Sequence, residues 1–465
     1  MREVLVTVNS PGEVATWLEP VARELLHRLG DARLTVMIPP CTFASGAEAG
    51  VVRDLLGGPA GVRVYEPGQV VAFLLSRRRP PGYRPARQGV VLFLGGDMVY
   101  AAWLARRLGY RALAYTEGRV RWTGVFERFL LPDGRALDRA RRRLGSKIDR
   151  LSERLEVVGD LMTDAARSRL APGEVRARLR LEPGEQVLLL LPGSRSAELR
   201  FLMPLYLEAL RRLAITPPPA GMEAAPVRAV FTLSPFVDAT AAAALARAAW
   251  AGGARGARAR ETGDWEPLDL PGARRLALGR LGPEGTRTQA ARPVRVELVQ
   301  GASRELMAAA DMALTLPGSN TAEMAAFGLP MLVVLPLQRP EEIPLEGLAG
   351  LVGGLPAVGP ALKRRAVYRV ERATPFVALP NRRAGRRLVP ELRGEVGPEA
   401  LAGELAAWLD DGPRRAGVRH ALEALRGEPG AARRVADRVL SMLGGAPDGA
   451  LDAAGEREGS TEVAP

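Results

Sequence analysis

Polar side chains cluster where a short apolar stretch ends and a helix is predicted to begin. The apolar stretch is residues 312–316, and a glycine turn with hydroxyl and amide side chains follows it. Such groups, beside the unpaired N–H groups of a helix N-terminus, bind anions such as a diphosphate. A carboxylate in the first helical turn can accept hydrogen bonds from a sugar diol or cap the helix. The residues are Gly318, Ser319, Asn320, Thr321 and Glu323.

A second segment of this kind occurs earlier in the sequence. Its presence makes an ordinary capped turn a weaker explanation for the first segment. Residues 187–191 are consecutive apolar residues, typical of a buried parallel strand, and a helix is predicted to begin near Pro204. Between them, Gly193 lets a ligand approach the backbone, Ser194 can cap a helix, and Arg195 can hold a phosphate through two hydrogen bonds. Two such loops on one sheet predict that a nucleotide is bound from both.

Two carboxylates in the N-terminal part are candidates for a general base. Asp97 follows the apolar strand 90–94, and Glu13 follows Gly12 after the first strand. Because the carboxyl ends of parallel strands face the cleft of a doubly wound sheet, either carboxylate could take a proton from an acceptor hydroxyl. Each also has a structural explanation, Asp97 as a helix N-cap and Glu13 as a turn carboxylate.

The scarcity of histidine and cysteine excludes several kinds of chemistry. The chain has two histidines, His27 and His420, and one cysteine, Cys41. A Ser-His-Asp triad, a zinc site and a disulfide framework are therefore not expected, and there is no P-loop motif. We expect no metal and no cofactor. Catalysis must then depend on carboxylates, hydroxyls, arginine and backbone dipoles.

The net charge of +13 comes almost entirely from arginine. It indicates either a generally solvated basic surface or attraction to anionic lipid. The apolar segment 69–76, followed by Arg77, Arg78 and Arg79, could dock on a membrane or form a buried helix with a polar end. Nucleic acid is not an expected partner, because no known module and no aromatic residues interleaved with a basic stripe occur.

No apolar run is long enough for a membrane span, and the chain enters its first strand directly without a signal peptide. We therefore expect a cytoplasmic location.

Alternating strands and helices predict two α/β domains, because 465 residues exceed what one core usually supports. Residues 172–186 are predicted to link them, and the last helix is expected to return to the first domain. The predicted units are an N-terminal Rossmann-like domain at 1–171, a C-terminal nucleotide-binding domain at 187–395 with a partly disordered insertion at about 251–293, C-terminal helices at 396–444 and a disordered tail at 445–465.

These motifs resemble those of the lipid-A-disaccharide synthase family over about residues 1–410. The matching segments are Leu191–Arg195 with Glu198, Gly318 and Glu323 with Pro330–Met331, Leu379–Arg386 with Val389–Leu392, Gly12–Glu13, and Val158–Gly159 with Asp164. The resemblance implies a glycosyltransferase-B fold, in which two doubly wound Rossmann-type domains face each other across a cleft. It also implies metal-independent, inverting transfer of an acylated glucosamine from a UDP-sugar to a lipid-linked acceptor.

Further expectations depend on this resemblance. It implies that Asn381 lines the donor site, that Gly12 lies on the acceptor side, and that a homodimer forms through the C-terminal segment. It also implies a protein peripheral to the inner face of the cell membrane. Where the family carries Ser-Gly-Asp, this chain has Val14–Trp17. This difference keeps open a non-catalytic relative that binds a nucleotide sugar or lipid. A second alternative is an isomerase of the same two-domain class, like UDP-N-acetylglucosamine 2-epimerase.

Overall fold

The computed structural model describes residues 2–41, 44–57, 62–76, 78–252, 264–282, 292–338, 365, 367–369 and 371–444. The predicted tail at 445–465 lies outside the described residues. Among the described helices, none is both long and apolar enough to cross a membrane.

The strands are β1 Arg2–Thr7, β2 Arg33–Met37, β3 Val62–Tyr65, β4 Gln88–Phe93, β5 Arg111–Tyr115, β6 Phe126–Leu131, β7 Leu155–Val157, β8 Gln186–Leu191, β9 Val227–Leu233, β10 Glu266–Pro267, β11 Arg274–Leu281, β12 Val294–Gln300, β13 Met312–Thr315, β14 Met331–Pro336 and β15 Glu391–Gly394. The helices are α1 Pro11–Glu13, α2 Glu19–Arg28, α3 Glu48–Leu55, α4 Pro67–Ser76, α5 Met98–Leu108, α6 Gly134–Leu144, α7 Ile148–Leu151, α8 Leu161–Ala165, α9 Pro172–Arg178, α10 Ser196–Ile215, α11 Ala239–Gly252, α12 Ser303–Ala309, α13 Ser319–Ala326, α14 Leu379–Ala384, α15 Pro398–Asp410, α16 Gly412–Glu423 and α17 Ala431–Met442, with a π-helix at Val14–Leu18 between α1 and α2.

The N-terminal sheet is parallel throughout, with strand order β3-β2-β1-β4-β5-β6-β7. Its central strands are almost wholly buried, because helices cover both faces and every side chain meets a core. The order reverses at β1 and β4, so the loops after these two strands diverge and open a crevice. Glu13 and Asp97 lie on those loops.

The C-terminal sheet has the order β10-β11-β12-β9-β8-β13-β14-β15. Strands β12, β9, β8, β13, β14 and β15 are parallel, whereas β11 is antiparallel to β12. The two sheets confirm the predicted fold of two doubly wound domains.

The last helix, α17, confirms the predicted return to the first domain. Its buried residues Ala432, Val435, Ala436 and Val439 join the hydrophobic core of β1, β2 and β4. At its start, the Asp164 carboxylate accepts hydrogen bonds from the N–H groups of Gly430 and Ala432, both at 2.7 Å. The N-terminal domain is thus completed by the far end of the chain.

Two predicted connecting segments are more structured than expected. Within the predicted linker, α9 forms a helix whose Val175, with Leu179 just after it, is buried in the C-terminal core. Within the predicted insertion, β10 and β11 extend the sheet, so the described part at 264–282 is not a structureless loop. Leu276 and Leu278 of β11 are buried in the C-terminal core, although the insertion as a whole has little hydrophobic periodicity.

Two local predictions also change. Helix α10 begins at Ser196 rather than near Pro204, which lies inside it. Helix α4 is mainly a core element, because Val70 and Phe73 are buried and, among its large apolar side chains, only Leu75 is exposed, at 71%. Phe73 therefore cannot insert into a membrane, whereas Leu75 remains available.

Candidate active site

A cleft of about 3040 Å³ lies between the two sheets. The loops that follow β1 and β4 line it from the N-terminal domain, and the loops that follow β8 and β13 line it from the C-terminal domain. This is the position expected for ligands in doubly wound sheets. The predicted residues that line this cleft are Gly12, Glu13, Asp97, Gly193, Ser194, Arg195, Gly318, Ser319, Asn320 and Glu323.

The loop after β8 is folded around the carboxylate of Glu198. The N–H groups of Ser194 and Arg195 donate to Glu198 Oε2 at 2.9 and 3.2 Å, and the Arg195 guanidinium donates to Glu198 Oε1 at 2.6 Å. Gly193 has φ +108°, and a Cβ there would lie 2.3 Å from Glu198 Oε2, so this position requires glycine. Glu198 therefore fixes the loop and holds Arg195 at the cleft.

Some polar groups of the loop after β13 line the cleft, and others form hydrogen bonds within the protein. Asn320 accepts a hydrogen bond from the Thr321 N–H at 3.1 Å and donates to the Thr315 hydroxyl. The Thr321 hydroxyl donates to Gly318 O at 2.7 Å and accepts from Leu379 N–H at 3.2 Å. Thr321 is fully buried, so its hydroxyl shapes the loop rather than reaching the cleft.

Asn381 is not placed in the donor site that the resemblance implied. It is fully buried, and its Nδ2 donates to Val389 O at 2.9 Å and to Glu391 Oε1 at 2.8 Å. Its Oδ1 accepts from the N–H groups of Leu388 and Val389 at 2.7 and 2.9 Å. These four hydrogen bonds join the short helix Leu379–Ala384 to Leu388 and Val389 and to Glu391 at the start of β15, which explains the paired motifs by structure instead of ligand binding.

Asp97 both caps a helix and faces the cleft. Its Oδ1 accepts the Val99 N–H at 3.0 Å, which confirms the N-cap of α5. The residue is exposed and lines the cleft, and its second oxygen makes no hydrogen bond within the described part of the chain. The cap holds the carboxylate in one orientation, so it is compatible with a chemical role.

Glu13 lies deeper than Asp97 and supports the same turn. Its Oε1 accepts the Gly96 N–H at 3.2 Å, directly before Asp97, whereas Oε2 is buried with no partner among the described residues. Burial raises the pKa of the Glu13 carboxyl above its ordinary value, against hydrogen bonds from Ser10 and the backbone that lower it. Glu13 thus connects the loop after β1 to the loop after β4.

The two domains touch at the centre of the cleft. A Cβ on Gly12 would lie 2.2 Å from Ser319 Oγ and 2.9 Å from Ser319 Cβ. Gly12, predicted on the acceptor side, therefore lies against Ser319, predicted on the donor side. Any side chain at Gly12 would have to displace the donor loop.

Arg304 is the residue of this site that the sequence did not indicate. Its Nε donates to Glu323 Oε1 at 3.1 Å, and its second terminal nitrogen reaches Ala15 O at 2.8 Å and Glu19 Oε2 at 2.9 Å. Burial raises the pKa of the Glu323 carboxyl, although the charge of Arg304 opposes this. These partners are distant in sequence, so only the fold brings them together.

No protein-family model matches the chain. It is 30% identical over 269 residues to the lipid-A-disaccharide synthase of Azotobacter vinelandii, covering 57% of this chain and 52% of that protein. It is also 30% identical over 270 residues to the lipid-A-disaccharide synthase of Pseudomonas aeruginosa, covering 58% and 52%. The chain thus spans about half the length of the curated relatives it matches. The predicted resemblance is confirmed as a distant relationship to lipid-A-disaccharide synthases.

Among solved structures, MurG of Acinetobacter baumannii covers 95% of this chain and 100% of its own at 13% identity, with a TM-score of 0.47. The strand order of this chain's two sheets defines its fold independently of that structure.

Proposed function

We propose that this chain is an inverting glycosyltransferase that moves an acylated, glucosamine-type sugar from a UDP-sugar to a lipid-linked acceptor. The observation that supports it most directly is the cleft, in which two phosphate-type loops of one domain face two carboxylates of the other. The relatives that match the chain carry the name lipid-A-disaccharide synthase, which adds the class of sugar and acceptor.

In this proposal the donor binds to the C-terminal domain. Ser319, Asn320, the N-terminus of α13 and the Arg195 guanidinium stabilise the diphosphate as it departs. They supply positive potential where negative charge develops, which is how preorganised dipoles and cations accelerate such a step. Glu323 accepts hydrogen bonds from the ribose hydroxyls.

On the acceptor side, Asp97 takes the proton of the attacking hydroxyl. The oxygen forms a bond to the anomeric carbon from the face opposite the diphosphate, and the bond from that carbon to the diphosphate oxygen breaks. UDP leaves with the electron pair, and the configuration inverts. Glu13 supports the turn that carries Asp97, since it accepts the Gly96 N–H.

The lipid acceptor requires access to a membrane, and one face of the N-terminal domain suits this. We define the α4–α5 face by the exposed Leu75, Trp103 and Trp122 with Arg106 and Arg107. The Arg106 guanidinium lies over the Trp122 ring at 5.9 Å. Exposed apolar side chains beside arginines favour peripheral attachment to anionic lipid, here on the cytoplasmic side. A homodimer through the C-terminal segment stays a prediction.

Calorimetry with UDP in the absence of divalent metal tests the donor site. Arg195→Ala should weaken UDP binding by roughly 1.5–3 kcal/mol, the scale of a charge-assisted hydrogen bond. Arg178→Ala is the matched control, because Arg178 pairs with Glu174 at 2.5 Å on a helix outside the cleft. Unchanged UDP affinity in Arg195→Ala would remove Arg195 from the site, and a strict Mg²⁺ requirement would contradict the mechanism.

Product analysis tests the reaction. Incubation with UDP-sugars and a lipid extract of the host should yield a glycolipid and UDP by mass spectrometry. Epimerisation of UDP-N-acetylglucosamine without acceptor would instead indicate an isomerase, although His27 and His420 are both exposed and neither lines the cleft. Absence of any UDP release would indicate a non-catalytic binding protein.

A further inference from the structure

Arg304 lies at the junction of the two domains with all of its bonds directed at the proposed active site. It starts from α12 in the C-terminal domain and contacts Glu323 in the same domain. From there it crosses to Ala15 and Glu19 in the N-terminal domain. The side chains of Glu19 and Glu323 are only 8% and 12% exposed. Arg304 compensates the charge of Glu323 and shares that of Glu19 with Arg23.

The N-terminal end of this bridge is next to the acceptor-side residues. Ala15 belongs to the π-helix Val14–Leu18, which directly follows Glu13. Glu13 in turn accepts the Gly96 N–H, one residue before Asp97. Single π-helical turns inside helices occur often at functional sites, where they hold a side chain out of the regular helical position.

A continuous series of contacts therefore runs from the donor-side carboxylate to the proposed base. It begins with the hydrogen bonds from Arg304 to Glu323 and to Ala15 O. Ala15 lies two residues after Glu13, and the Glu13 carboxylate accepts the Gly96 N–H next to Asp97. The Gly12–Ser319 contact lies beside it and keeps the same two loops together. Through these two ion pairs, Arg304 joins Glu19 at the start of α2 to Glu323 in α13.

We propose that Arg304 is a positioning residue that couples the nucleotide at Glu323 to the placement of Glu13 and Asp97. This rests on the proposed function. In the free protein, Arg304 is the partner of the Glu323 carboxylate. Ribose hydroxyls that donate to Glu323 change how strongly it holds Arg304, and the change passes to Ala15 and Glu19. Such coupling exists only if UDP binds the two arrangements of this bridge with different affinity.

Hydrogen exchange measures the coupling without any reaction. Backbone amides of residues 14–19 should exchange at a different rate when UDP is added to the wild-type protein. Arg304→Lys keeps the charge but replaces a planar fork by a single ammonium, which cannot span Glu323 and Ala15 together. This variant should still bind UDP but lose the UDP-dependent change in exchange, because the connection between the two domains through Arg304 is broken.

Arg23→Lys is the matched control. Arg23 pairs with the same Glu19 at 2.9 Å, and within the described part of the chain its hydrogen bonds go to Glu19 alone. It should retain the UDP-dependent change. If Arg304→Lys fails to fold, as judged by its thermal transition, Glu19→Gln removes the charged N-terminal partner and leaves the bonds from Arg304 to Glu323 and to Ala15 O. The response to UDP should then be smaller than in the wild type, and an undiminished response would contradict the coupling.

Kinetics give the second readout. Arg304→Lys should lower kcat by about tenfold or more while KM for the donor changes little, because the defect lies in placing the base rather than in binding. If UDP binds to the wild type but leaves the exchange of residues 14–19 unchanged, or if Arg304→Lys responds like the wild type, the coupling is wrong and the transferase proposal stands. If UDP does not bind to the wild type at all, both fail.

Discussion

Replacing Asp97 by asparagine separates proton transfer from helix capping at one position. Asparagine has the same shape and caps helices as well as aspartate does, so the hydrogen bond from Val99 N–H should persist. An amide cannot accept the proton of the attacking hydroxyl. A general base contributes about 10²- to 10⁴-fold in rate, which is about 2.7–5.4 kcal/mol of transition-state free energy at about 1.36 kcal/mol per tenfold.

The assay is turnover at saturating donor, together with UDP affinity by calorimetry and the thermal transition of each variant. Asp97→Asn should lower turnover at least a hundredfold, on the scale just given, with UDP affinity and stability near wild type. Glu13→Gln is the matched comparison, because its amide oxygen can still accept the Gly96 N–H. An active Asp97→Asn with an inactive Glu13→Gln would show that Glu13 is the base. If neither variant loses activity, no carboxylate of this turn is the base.

Three further predictions follow from contacts described above. Gly12→Ala should reduce activity, because its Cβ would lie 2.2 Å from Ser319 Oγ and 2.9 Å from Ser319 Cβ; wild-type kcat/KM in this variant would show that the donor loop accommodates the methyl group. Burial raises the pKa of Glu323, and its ionised form accepts the ribose hydroxyls better. As the pH is lowered, UDP affinity should therefore begin to fall at a higher pH than an ordinary glutamate would give. Calorimetry that shows the same pH dependence in a Glu323→Gln variant would contradict this. Leu75→Ser should reduce sedimentation of the protein with anionic vesicles and leave its thermal transition unchanged. Phe73→Ser should lower the temperature of that transition, because Phe73 is only 3% exposed. If both variants lower it equally, Leu75 is also a core residue.

The loops that bind phosphate in the proposal were predictable because their signals are local. An apolar strand, a glycine turn and a capped helix lie within a few residues, and the structure has β8 and β13 at the predicted positions. The helices at the C-terminus were also predicted within a few residues, since their periodicity is regular. The parallel sheets then follow from the alternation of strands and helices.

The features that were not predicted have one physical cause in common: contacts between residues distant in sequence leave no local sequence pattern. Arg304 is one of many arginines in the sequence, and nothing near it indicates that Glu19 will be its partner. Asn381 stands in a polar motif typical of a binding loop, yet its amide is satisfied by backbone groups of Leu388 and Val389, just before β15. Phe73 belongs to an apolar run whose buried face depends on where α5 packs.

The location of α17 affects how the protein is made. Its side chains complete the core beneath β1, β2 and β4, although it is the last described helix of the chain. During synthesis, most domains fold as soon as their own residues have left the ribosome. Here the first domain to emerge lacks part of its interior until residue 442 has been added, whereas the second domain is already complete. We therefore expect the C-terminal domain to fold first, with the N-terminal domain needing protection from aggregation until the final helix arrives.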